Sequence, residues 1–184
     1  GRRNVTAGRR ERPGEHRRRI VDRGHGDHVG LLLRRPLERC ELALDHAGAH
    51  EVPGTGGDAA VRHPGRVALA LLWETYGESA VESGLGNLSG QSPAELRVLS
   101  EMLRRGVNSP LTTSAGRLFD GVAALVGLHR AVTFEGQAAM ALENLADPSV
   151  RDAYAIDFLA VGGDAPIILD WRPMIEAIVA DVRG

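Results

Sequence analysis

At 184 residues the chain is long enough to bury one ordinary core without disulfides or a structural metal, and its single cysteine, Cys40, cannot form an internal bridge. The formal net charge of −2 hides a split: the first 50 residues hold twelve arginines against seven acidic residues, the remainder ten against seventeen, and lysine is absent. No apolar run approaches the roughly 20 residues that a bilayer-spanning helix needs, and the charged start has no apolar signal core behind it, so a soluble protein of the reducing cytoplasm is expected, with no membrane partner.

Residues 1–50 contain five of the seven histidines and show apolar patterning only at "VGLLL", Val29 to Leu33. "RRER" and "HRRR" have the look of a nucleic-acid arm, but without interleaved aromatics such runs are usually solvated, disordered charge, so nucleic acid is not the expected partner. Exclusive use of arginine fits a GC-rich genome better than a demand for planar guanidinium groups. "DHAGAH" places His46 and His50 at i, i+4, a helical metal spacing, yet the glycine between them weakens any helix. The segment reads as a unit separate from residues 51–184.

From Pro53 the texture changes. A glycine turn, "PGTGGD", leads into an apolar run, Val67 to Trp73, which predicts a buried helix near Pro64 to Tyr76. "GLGNLSGQ" reads as a loop. "SPAE" then gives a strong helix start, with Ser92 as N-cap, Pro93 in the first turn and Glu95 at the capping-box position. Leu96, Leu99 and Leu103 fall on one face of that helix, which runs to about Arg105 and is ended by Gly106.

A third helix follows caps offered by Thr112, Thr113 and Ser114. Leu118, Val122 and Leu125 form its stripe, with Phe119, Ala123 and Val126 beside it, and apolar residues continue to Leu128. A fourth helix is predicted from about Glu135 to Ala146, with Ala139, Leu142 and Leu145 facing inward. Two short strands around "VGGD" read as a hairpin near residues 153–169, and a last helix follows Asp170 as N-cap.

The third helix carries one carboxylate, Asp120, on a surface that is apolar on most sides. Burying a carboxylate costs several kcal/mol unless something pairs with it or a ligand uses it. Gly116 and Asp120 share a face, and Arg117, three residues before Asp120, is placed to bridge to it. On spacing alone, a structural ion pair between Arg117 and Asp120 is the first reading, and a ligand site the second. Gly136 opens the next helix, where a missing side chain lets a ligand approach the backbone and unpaired N–H groups favour anions. Together, an aspartate able to accept two ribose hydroxyls and a bare glycine opposite make half of a nucleoside pocket.

Three motifs extend this reading: "GGDAAVRHPGRVALALL" (Gly56 to Leu72), "NSPLTTSAGRLFDGVAALVGL" (Asn108 to Leu128) and "VTFEGQAAMALE" (Val132 to Glu143). Together they resemble the C-terminal carbamoyltransferase region of the HypF hydrogenase-maturation family, from residue 53 onward. The resemblance implies an α/β fold, part of an actin-like or sugar-kinase ATPase (ribonuclease-H-like) architecture, mostly helical in the portion present. It also implies an enzyme that uses carbamoyl phosphate and ATP to make carbamoyl adenylate. The carbamoyl group then passes to a cysteine of a hydrogenase-maturation partner protein, where dehydration yields the cyanide ligand of nickel-iron hydrogenases. In the wider family the aspartate and the glycine of these motifs contact the nucleoside, and they fall on Asp120 and Gly136; Gly116, Arg117 and Glu135 belong to the same motifs.

The chain departs from the family where glutamate and tryptophan are usual and His63 and Gly65 stand instead. The family's zinc or iron site needs an upstream histidine cluster and a late aspartate, and neither these ligands nor a glycine-rich phosphate loop is identifiable here. The expectation is therefore a partial domain, inactive alone, whose first 50 residues are disordered or an out-of-frame translation joining true family sequence near Pro53. The rival readings are a threonylcarbamoyl-type transferase acting on tRNA and a non-catalytic helical interaction module.

Overall fold

The computed structural model describes residues 47–49, 51–147, 149–160 and 167–184. Cys40, His46, His50, the arginine-rich segment and the "VGGD" turn lie outside them. In chain order the elements are β1 (Ala47–Ala49), β2 (Val52–Pro53), α1 (Asp58–Arg62), α2 (Pro64–Tyr76), α3 (Ser79–Glu82), a 3₁₀ turn (Leu85–Ser89), α4 (Pro93–Arg105), β3 (Leu111–Thr112), α5 (Ala115–Leu125), α6 (Gln137–Leu145), β4 (Asp157–Ala160), β5 (Ile167–Asp170) and α7 (Arg172–Arg183). β4 and β5 form the expected antiparallel hairpin, and β1 joins β5 in parallel, giving the order β1-β5-β4. β2 and β3 form a separate antiparallel pair. The whole is a mostly helical α/β unit.

α2 is the axis of the core. Every residue from Val67 to Leu72 is at most 1% exposed, so the helix is enclosed on all sides, as an all-apolar helix must be. Its most extensive helical contact is with α5. α7 also packs on it, presenting the fully buried Ile175, and Trp171 just before α7 is fully buried too. Each large aliphatic side chain buried this way contributes about 1.5–3 kcal/mol. The α2–α5 contact is close at Gly121, where an added Cβ would lie 2.4 Å from Leu71 Cδ1 and 3.2 Å from Val67 Cγ1.

α2 and α4 occupy the predicted spans. The full capping box of Ser92 and Glu95 is present, Leu96, Leu99 and Leu103 are buried, and Gly106 ends α4 with φ 62°. α5 buries Leu118, Val122 and Leu125 as expected but stops at Leu125 rather than Leu128, because Gly127 turns left-handed at φ 84°. Ser114 holds the N-cap position of α5 without a side-chain cap bond.

Three expectations are corrected. α6 begins at Gln137, with Gly136 rather than Glu135 at its start, and its inward face centres on Ala138 and Leu142; Leu145, in the final turn, is 39% exposed. At α7 the cap position belongs to Trp171, which the core takes; Asp170 stands one residue earlier, where its Oδ1 still accepts the Arg172 N–H at 3.1 Å. The loop at residues 84–91 contains the 3₁₀ turn, which buries Leu85 and Ser89. That turn also accounts for Gly65. A Cβ there would sit 2.4 Å from both Ser89 O and Gln91 Nε2, so the loop closes over a position that only glycine fits.

Gly121→Val inserts a branched side chain into the space held by Leu71 and Val67. It should cost at least about 2 kcal/mol in urea or thermal unfolding. A variant as stable as the wild type would show that α2 and α5 do not pack at this distance.

A buried ion pair at the mouth of a glycine-started helix as the candidate functional site

α5 also carries a buried carboxylate, Asp120. The residue is 2% exposed, and Arg117 one turn earlier brings Nη1 to 3.0 Å from Asp120 Oδ2. The same guanidinium donates from Nη2 to Glu135 Oε1 at 3.1 Å, in the segment just before α6. The Arg117 side chain is 11% exposed and that of Glu135 is 81% exposed, so one cation lies between a sealed carboxylate and a solvated one. The contact with Asp120 is a charge contact without hydrogen-bond alignment, since Nη1 is buried and has no hydrogen-bond partner.

Burial is the largest influence on Asp120 and pushes its carboxyl above the usual aspartate range; Arg117 pulls it down, and Glu135 pushes it up again. The first reading of the spacing, an Arg117–Asp120 ion pair, is therefore present. The Arg117–Glu135 contact, between residues 18 apart in sequence, was not legible.

Gly136 follows Glu135 directly, in the left-handed region at φ 82°, and starts α6, whose first backbone bond runs from Met140 N to Gly136 O at 2.9 Å. A Cβ at Gly136 would meet nothing within 4 Å. Two properties thus meet at one position: a backbone conformation that suits glycine, and open space beside it. Gln137 Oε1 accepts from Thr133 N and Thr133 Oγ1 at 2.8 and 3.1 Å, which closes the turn entering α6. Phe134, absent from the sequence-based candidates, is 54% exposed beside Glu135; an aromatic ring in a polar turn was the signal that could have marked it.

Of the five sequence candidates, Arg117, Asp120 and Glu135 are in contact, and Gly136 adjoins them through the chain. Gly116 is exposed at the start of α5, and a Cβ there would meet only Ser114 Oγ at 3.5 Å. Among the described residues no group of three or more His, Cys, Asp or Glu is placed to hold a metal ion, so a zinc or iron centre does not fit them. No helix among them is long and apolar enough to cross a membrane.

The family model for the carbamoyltransferase, Kae1-like domain, second subdomain, matches residues 44–184. This chain belongs to that carbamoyltransferase family. It is 37% identical over 141 residues to carbamoyltransferase HypF of Synechocystis sp., covering 70% of this chain and 18% of that protein. It is 33% identical over 158 residues to a carbamoyltransferase HypF homolog of Cupriavidus necator, covering 82% of this chain and 37% of that protein. A crystal structure of full-length HypF in the phosphate- and nucleotide-bound form matches with a TM-score of 0.61 at 29% identity, covering 74% of this chain and 17% of that one. The chain therefore spans well under half the length of these relatives.

Asp120→Asn tests the electrostatics. A carboxyl pKa raised by burial means that the folded state holds the proton more tightly than the unfolded state, so that stabilisation is present in acid and is lost as pH rises through the raised value. Asparagine does not titrate. The melting temperature of Asp120→Asn minus that of the wild type should grow more positive between about pH 4 and pH 7. A difference that shrinks over this range would mean that Arg117 outweighs burial.

Proposed function

We propose that this chain supplies the sugar-holding half of the nucleotide site of a HypF-type carbamoyltransferase. One observation carries the reading: Arg117 joins side chains from two separate motifs, Asp120 and Glu135, and Glu135 directly precedes Gly136, where the space a side chain would fill is open. Asp120 is the acceptor for the ribose hydroxyls, reached past Arg117 and the exposed Glu135 arm, and Gly136 lets the sugar or base come against the backbone. Arg117 holds the carboxylate in position and offsets part of its burial cost. The likeness to a HypF crystallised with phosphate and nucleotide supports a nucleotide as ligand.

In the reaction so proposed, carbamoyl phosphate and ATP give carbamoyl adenylate, and the carbamoyl group moves to the thiol of a cysteine on a hydrogenase-maturation partner protein. A reducing cytoplasm keeps that thiol available. The residues described here bind and orient. Preorganised charge around the transferred group itself belongs to elements outside them.

Calorimetry of the 184-residue chain with adenosine and with ATP tests the reading. Asp120→Asn should weaken both ligands by roughly 10- to 100-fold, the effect of losing hydrogen bonds to a charged acceptor, with circular dichroism unchanged. A folded wild-type chain that binds neither ligand would contradict the half-site and leave a helical interaction module in which Arg117 and Asp120 are paired for structure alone.

A further inference from the structure

We infer that Glu135 is a displaceable internal counter-ion, which occupies Arg117 until an anionic ligand oxygen of the phosphate type takes its place. The inference deepens the half-site reading and rests on it for the claim that the incoming phosphate belongs to a nucleotide. The two carboxylates on Arg117 are unequal. Asp120 is sealed at 3% side-chain exposure and makes a charge contact without a hydrogen bond, while Glu135 makes the hydrogen bond from a side chain that is 81% exposed. An ion pair with one partner that solvated gains little, because water competes for the carboxylate and holding the long side chain costs rotamer freedom. Glu135 can leave without unmaking any packing.

The group it would leave behind suits an oxyanion. Guanidinium is a rigid fork matched to phosphate and carboxylate oxygens, and here Nη2 is held by the exposed arm while Nη1 is buried against Asp120. The adjoining residue is Gly136, with open space where a Cβ would project, and it starts the nine-residue helix α6, whose N-terminal N–H groups add a second attraction for negative charge. Asp120 stays paired with Arg117 in either state and tethers the guanidinium. Arg117 thus acts as a selector for a charged ligand end, and Glu135 sets how strongly a phosphate must compete.

Inorganic phosphate and adenosine, titrated separately into the full chain and followed by the Arg117 guanidinium nitrogen resonances, test this. Glu135→Gln should bind phosphate about fivefold more tightly than the wild type, with adenosine affinity unchanged, and the gain should vanish when Arg117→Gln is added. Phosphate affinity that stays the same or falls in Glu135→Gln, or phosphate binding to neither protein, overturns the inference. A phosphate gain without adenosine binding sustains it while removing the nucleoside reading. Adenosine binding without the phosphate gain does the reverse.

Discussion

An all-apolar helix has no face to offer water, and α2 therefore has to be wrapped by its neighbours. The wrapping brings α5 so close that Gly121 meets Leu71, and Asp120 on the same helix is buried as well. The ion pair with Arg117 offsets part of the cost of burying that carboxylate. Arg117 also reaches to the exposed Glu135 in the turn before α6.

The same contacts explain why the site is polarised. Asp120 is held by low dielectric and by one guanidinium; Glu135 is held by that guanidinium and by water. Burial separates the two carboxylates into a fixed group and a movable one, much as buried and solvated acids take different roles in known catalytic pairs. The family to which the chain belongs has a member crystallised with phosphate and nucleotide, and the chain spans only part of such proteins.

Local signals made much of this legible. Ser92, Pro93 and Glu95 mark α4, the run Val67 to Leu72 marks α2, and the Leu118, Val122, Leu125 stripe marks α5, because capping and 3.6-residue periodicity are written within a few residues. Asp120 stood out as a charge on an apolar helix, and Arg117 followed from helical spacing. What escaped depends on contacts distant in sequence. α1 and α3 are too short to show a period, β1 pairs with β5 across most of the chain, and the Glu135 contact crosses a loop. Leu145 shares the helical phase of Ala138, yet it lies in the last turn, where phase does not secure cover.

The central claim is that the buried carboxylate on α5 exists to grip a sugar beside the bare start of α6. A crystal structure of the chain soaked with adenosine addresses it most directly. Ribose hydroxyls should lie on Asp120 and the nucleoside against Gly136, with Arg117 still paired to the carboxylate. A nucleoside bound elsewhere, or none bound with Asp120 still closed on Arg117, would contradict it.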